Sequence, residues 1–380
     1  MYFIVLLGIV SLFGDATYEG ARSVTGPYLD TLGASASAVS LVAGIGEFMG
    51  YGLRLVSGYL ADRTKAYWVF TFVGYGLLLS IPLLAFAGYW QLAAIFIILE
   101  RIGKAIRNPA RDTMLSYAAK GVGRGWGFAV HEALDQVGAV IGPIIFSFVL
   151  LAHAGYREGF TLLWIPALLT LAVLALARKK VPLPQRLEIQ EKTSRLNIDG
   201  KLPKVFWLYS IFTLFSVAGF ANFQLIAYHL KTEAIIPDAQ IPIMYAIAMG
   251  VDAVAALVVG KTYDRIGLIS LLAVPLLTLP IPFLAFSTGY SWVLVSMILW
   301  GVVMGIQETI MRAAIADLTP ITRRGFAYGI FNTVYGAGWL LGSPLMGLLY
   351  EISINYIILF AIVMELVSIP LFLLVRRAAS

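Results

Sequence analysis

Apolar runs of about twenty residues, each long enough to cross the hydrocarbon core of a bilayer as a helix, recur along the whole of this 380-residue chain. Twelve can be counted, the first from about Tyr2 to Tyr28 and the last from about Tyr356 to Val375. Backbone inside hydrocarbon must satisfy its own hydrogen bonds, so runs of this length fold as helices. Composition agrees: 60% of residues are hydrophobic and 13% charged, against about one quarter charged in soluble domains. The expectation is an all-α membrane protein with twelve transmembrane helices, which excludes a soluble enzyme core. The first run has no basic start and passes Asp15 without a small-residue cleavage site, so it reads as a span and not as a signal peptide. There is no cysteine, hence no disulfide and no thiolate metal site.

The net charge of +6 is explained by topology. With both termini inside, eighteen of the 27 Lys and Arg fall in cytoplasmic loops and tails. Only Arg157 and Lys231 lie in external loops. This is the positive-inside pattern, and it predicts a multi-pass protein of the cell membrane with cytoplasmic termini. A nucleic-acid partner is not expected. Trp68, Trp90, Trp126 and Trp292 sit near the predicted span ends, where interfacial aromatics belong.

One long polar segment interrupts the spans: "RKKVPLPQRLEIQEKTSRLNIDGKLPK", Arg178 to Lys204. It separates two six-span halves, 1–178 and 205–380, with 179–204 as a cytoplasmic linker. The halves echo each other. Arg124-Gly125-Trp126 matches Arg324-Gly325-Phe326, and Gly138 and Gly142 match Gly338 and Gly342, at a shift of 200. "GYLADR" (Gly58 to Arg63) matches "GKTYDR" (Gly260 to Arg265) at a shift of 202. Landmarks in register imply duplication, and repeated halves with substrate held between them are a transporter architecture.

At these residues the sequence resembles the major facilitator superfamily. "GYLADRTK" is similar to that family's loop motif G-x-L-x-D-R-x-G-R-[RK] at Gly58, Leu60, Asp62 and Arg63. Lys65, Ala66 and Tyr67 depart from it. The resemblance implies two pseudo-symmetric six-helix bundles and a cytoplasmic latch comprising Gly58, Asp62, Arg63, Asp112, Asp264 and Arg265. The departures remove part of the basic half of that latch. "GAVIGP", Gly138 to Pro143, resembles the fifth-span motif of drug/proton antiporters, with Phe146 and Ser147 in place of its last two glycines. "SLFGDATYEGARSVTGPYL" and "ERIGKAIRNPARD" resemble an archaeal and bacterial subgroup of undefined substrate.

The second of those stretches is the densest charge in the chain. At 100° per residue, Glu100, Lys104, Arg107 and Arg111 occupy an arc of about 60° on the fourth span, flanked by Arg101, Asn108 and Asp112. A charge at mid-bilayer costs about 2.5–3.5 kcal/mol or more, so this stripe faces protein or a water-filled cavity. On the first span Asp15, Glu19 and Arg22 share a face at comparable depth. A network of Asp15 and Glu19 with Lys104 and Arg107 is therefore expected. The competing reading is a structural network that neutralises itself, but ion pairs stabilise poorly against apolar isosteres.

The fifth span adds His131, Glu132 and Asp135. A carboxylate that exchanges a cationic partner for a proton can switch between two domain arrangements, and Asp15, Glu19, Glu132 and Asp135 are the candidates. The cavity is expected to be lined by Asp15, Glu19, Arg22, Lys104, Arg107, Arg111, Asn222 and Glu308. Gln307 and Arg312 neighbour Glu308, while Gln224 and His229 neighbour Asn222. "GIGEFMGYG", Gly44 to Gly52, lies inside a span and reads as close helix packing; no strand precedes it, as a dinucleotide loop requires.

These features predict a secondary active transporter, a monomer working by alternating access, with a small-molecule substrate, protons and the bilayer as its partners. Proton antiport and efflux of a drug or metabolite lead. Proton-coupled uptake of an organic anion or zwitterion is the alternative, with divalent-metal transport and a non-transporting sensor behind it. No enzymatic activity, cofactor or resident metal is expected.

Overall fold

The computed structural model describes residues 1–119, 122–184, 202–320 and 323–379, with the backbone alone at Arg124 and Gly125. Among these residues there is no strand. The first half comprises α1 (Tyr2–Arg22), α2 (Thr25–Thr31), α3 (Ala36–Thr64), α4 (Tyr67–Leu77), α5 (Ser80–Leu83), α6 (Trp90–Ala119), α7 (Arg124–Leu151), α8 (Tyr156–Leu162) and α9 (Trp164–Lys180). In the second half are α10 (Lys204–Ala218), α11 (Phe223–Thr232), α12 (Ile241–Ile266), α13 (Ala273–Thr278), α14 (Ile281–Ala285), α15 (Tyr290–Leu318), α16 (Arg324–Ile352) and α17 (Ile354–Ala379). Residues 185–201 of the expected linker lie outside the described residues.

Among the described residues, nine segments are long and apolar enough to cross a membrane by composition. One of them, Asp238–Ala285, is 48 residues long and folds as two passes, α12 and then α13 with α14. The 30-residue α6 and 29-residue α16 complete the twelve; α6 is diluted by its own charged stripe. The first pass is shorter than the sequence suggests. α1 stops at Arg22 and α2 begins at Thr25, because Pro27 has no N–H with which to continue the ladder to Ser23. At the break Val24 N turns to Ala21 O at 3.1 Å, while Ser23 Oγ donates to Gly20 O at 2.6 Å and Thr25 Oγ1 to Ala21 O at 2.9 Å.

The chain forms two compact units. The first holds residues 1–33, 53–193 and 238–246, and the second 34–52, 194–237 and 247–380. The units follow the two halves except that 34–52 and 238–246 change sides.

Within the first unit, α1 is the buried axis and packs along α7, α9 and α6. Its contact with α7 depends on missing side chains: a Cβ at Gly138 would collide with Leu12 O, and one at Gly142 with Ala16 O. Within the second unit the same device recurs between α10 and α16, where Gly338 faces Leu214 O and Gly342 faces Ala218 O. The glycines that mark the repeat thus lie at close helix–helix contacts in each half, with Gly338 meeting the Val217 side chain first. Gly44 in "GIGEFMGYG" does likewise, its would-be Cβ lying 2.9 Å from Trp339 O. Trp126 and Trp292 are exposed as interfacial aromatics should be, whereas Trp68 is buried and donates to Val181 O at 3.2 Å.

Candidate functional site

In the first unit α1, α6 and α7 bring their charged side chains together around Tyr18. Lys104 Nζ lies 4.2 Å from the Tyr18 ring centroid, the Arg101 guanidinium 4.5 Å and that of Arg22 6.0 Å. A ring face attracts cations through its quadrupole, so Tyr18 gathers three of them. Glu19 is their counter-charge, 3.9 Å from Lys104 Nζ and 3.7 Å from Arg22 Nη1. Its Oε2 accepts a 2.6 Å hydrogen bond from Tyr245 at the start of α12. Asp15, one turn away, and Asp135 of α7 lie within electrostatic reach of each other, and Lys104, Glu19 and Arg107 also bear on Asp15. Arg111 and Glu132 are the other charges that bear on Asp135. The expected contact of Glu19 with Lys104 is present, and Asp15 is influenced by Asp135 of the fifth pass as well as by Lys104 and Arg107.

The rest of the stripe on α6 is engaged differently. Arg107 donates to Glu100 Oε1 at 3.0 Å and to Gly74 O at 3.4 Å, with its guanidinium 4.8 Å from the Tyr75 ring. Both members of that ion pair are almost fully buried. Arg111 bonds Asp112 Oδ1 from Nε and Nη2, at 3.0 and 2.9 Å. Its Nη1 donates to Ser11 Oγ at 2.9 Å, and Ser11 Oγ in turn lies 2.9 Å from His131 Nε2. Arg107 and Arg111 therefore tie α6 to α4 and α1, while Lys104, with a fifth of its side chain accessible, keeps a looser ion pair. Glu132 is exposed on another face of α7.

Two polar clusters occupy the second unit. Span seven is broken: α10 ends at Ala218 and α11 starts at Phe223. Asn222 Oδ1 caps α11 by accepting from Leu225 N at 2.8 Å, and Trp300 Nε1 donates to Ala221 O at 3.0 Å, so the break leaves those groups satisfied. Asn222 Nδ2 and Gln224 Oε1 are buried there with no hydrogen-bond partner among the described residues. His229 Nδ1 lies 2.9 Å from Tyr350 OH. In the other cluster Glu308, Arg312 and Asn332 line a small cavity with Gln307, Tyr51 and Tyr335. There Tyr335 OH donates to Gln307 Oε1 at 2.9 Å and Tyr51 meets the Tyr335 ring edge-on at 4.7 Å.

Of the latch residues, Asp62 accepts from Tyr67 OH at 3.1 Å and Asp112 holds Arg111. Gly58 abuts Pro109 of α6. No ion pair is formed by Arg63, Asp264 or Arg265 among the described residues. The sequence reading overlooked Tyr18, Ser11, Tyr75, Tyr245 and the buried Glu47. Tyr18 was within reach, since it lies three residues after Asp15 on the same face; Tyr245 was not, since nothing local marks it.

Twelve passes in two related halves, ionisable side chains buried along them and a helix broken beside polar groups define a membrane transporter. The chain belongs to the Major Facilitator Superfamily, whose family model matches residues 4–311 and 225–380. An uncharacterized protein of Mycobacterium tuberculosis is 41% identical over 379 residues, covering 98% of this chain and 93% of that protein. An uncharacterized MFS-type transporter of Methanocaldococcus jannaschii is 27% identical over 378 residues, covering 96% and 92%. Among solved structures, the nucleoside transporter NupG superposes with a TM-score of 0.73 at 16% identity, over 100% of this chain and 99% of that one.

Proposed function

We propose that the chain is a proton-coupled secondary transporter that moves a small organic anion, with its two six-span halves rocking in alternating access in the cell membrane. What supports this reading is the placing of two buried carboxyl groups, Asp15 and Asp135, within electrostatic reach of each other and of Lys104. Two carboxyl groups can hydrogen-bond to each other only through a proton, because an ionised carboxylate has no donor. The pair is thus a place to hold one proton within electrostatic reach of a cation that can also meet cargo. Lys104, Arg101 and Arg22 around Tyr18 supply donors suited to a carboxylate or phosphate.

The sign of coupling follows from that charge. An anion bound at Lys104 favours a protonated pair, so anion and proton bind together and move in the same direction. A cation would instead compete with the proton, giving antiport. A second reading, efflux by proton antiport, draws on "GAVIGP". Its glycines serve the α1–α7 contact, and Gly338 and Gly342 serve the equivalent contact in the other half, so packing alone accounts for the motif.

The test is a proteoliposome assay with a trapped pH-sensitive dye and a panel of organic anions, cations and zwitterions added outside. Acidification of the lumen on adding an anion supports the reading. Lumen alkalinisation on adding a cation would replace it with antiport. Solute flux with no proton movement would remove the coupling altogether.

A further inference from the structure

We propose that the groove between α3, α4 and α6 of the first unit holds an acyl chain of an anionic phospholipid, with its phosphate on Arg63. The groove has a volume of about 330 Å³ and is lined by side chains including Leu53, Val56 and Leu60 of α3, Val69 and Val73 of α4, and Ile106 of α6. Val56, Val69 and Val73 are each about half exposed, at 55%, 58% and 49%. The polar side chain in its wall, Ser57, already donates to Ala105 O at 2.7 Å. A polar solute has nothing to bond there. The three helices cross the membrane, so hydrocarbon is what covers this surface.

The headgroup chemistry follows from helix periodicity. Leu53, Val56 and Leu60 recur at spacings of three and four, and the next position on that stripe is Arg63. It stands at the end of α3, beside the short connection to α4 at Tyr67. Arg63 is exposed and has no ion pair among the described residues. Its neighbour Asp62 is turned to Tyr67 OH instead, at 3.1 Å. A guanidinium fork suits phosphate oxygens, and basic sites between membrane helices near a leaflet surface bind anionic headgroups. Lys65 adjoins the mouth, with Nζ 5.9 Å from the Tyr67 ring centroid. The occupant is therefore a lipid of the leaflet on the side of residues 64–67, selected by negative charge.

The test is native mass spectrometry of the full chain purified in mild detergent with equimolar phosphatidylglycerol and phosphatidylcholine of matched acyl chains. One phosphatidylglycerol per chain should be retained in preference to phosphatidylcholine. Arg63→Gln should reduce that preference about fivefold, the value of one basic residue near a lipid surface. Val73→Trp, which fills the groove, should lower retention of both lipids. Arg157→Gln, a charge control in the first turn of α8, should leave the preference as in the wild type. A preference unchanged by Arg63→Gln, no preference in the wild type, or full retention in Val73→Trp would overturn the proposal.

Discussion

Tyr245 donates a 2.6 Å hydrogen bond to Glu19 Oε2, joining the first turns of α12 to the charged end of α1 across 226 positions of sequence. Both side chains are buried, and Glu19 also meets Lys104 and Arg22. A hydrogen bond to a charged acceptor contributes about 1.5–3 kcal/mol. Tyr245→Phe should therefore lower the Tm of the purified protein. In a double-mutant cycle with Glu19→Ala the losses should be less than additive, since both variants remove the same contact. An unchanged Tm for Tyr245→Phe would mean that the bond does not stabilise this arrangement.

Arg107 and Lys104 lie one turn apart on α6 yet should respond differently to neutralisation. Arg107 forms a buried pair with Glu100 at 3.0 Å, and removing one member of such a pair costs about 3–5 kcal/mol. Glu100→Gln should give a large loss of Tm, and joining Glu100→Leu to Arg107→Met should recover most of it. Lys104 has only a 3.9 Å contact to Glu19 and partial access to solvent. Lys104→Gln should leave Tm nearly unchanged while lowering solute flux in vesicles, with Lys192→Gln in the linker as the unaffected control. Equal fluxes for the Lys104 and Lys192 variants would remove Lys104 from the transport path.

Much of this was legible in the sequence because membrane helices are written in runs of twenty and the repeat in glycines. The charged arc on α6 was equally plain, since 100° per residue suffices to place it. What could not be read was the partner of each charge. Glu100 and Arg107 share one helix face and pair there, an i,i+7 reach bridged by long side chains. The Asp15–Asp135 pair depends on how Gly138 and Gly142 let α7 settle against α1. The break at Gly219–Asn222 has no proline and stands in an apolar run; its local marks are Gly219 at the end of α10 and Asn222 at the N-cap of α11, and the run's hydropathy hid them. Trp300 from a later helix takes the carbonyl that the break frees.

The glycine contacts give a stability test of the internal repeat. A Cβ at Gly142 would collide with Ala16 O, and one at Gly342 with Ala218 O. Overpacking of this kind typically costs about 1–3 kcal/mol. Gly142→Ala and Gly342→Ala should lower Tm by similar amounts. Gly76→Ala, where a Cβ meets nothing within 4 Å, should not lower it. A loss confined to one half would mean that the two halves tolerate displacement of their first and fifth helices differently.

The coupling role proposed for Asp15 and Asp135 separates two activities that a merely structural pair would lose together. With either side chain changed to Asn, one of the two carboxyl groups is lost and no proton can be shared between two carboxyls, while the amide keeps the shape and hydrogen-bonding capacity of the position. Transport driven by an imposed pH gradient should fall to background in Asp15→Asn or Asp135→Asn. Exchange of labelled for unlabelled solute needs no net proton movement and should continue near the wild-type rate. Glu132→Gln should keep pH-driven transport, since Glu132 is exposed on another face of α7. The measurement is paired: uptake under a pH gradient and counterflow at equal pH, from the same vesicle preparation. Loss of both activities would make the pair structural, and retention of both in Asp15→Asn and in Asp135→Asn would move proton coupling elsewhere in the chain.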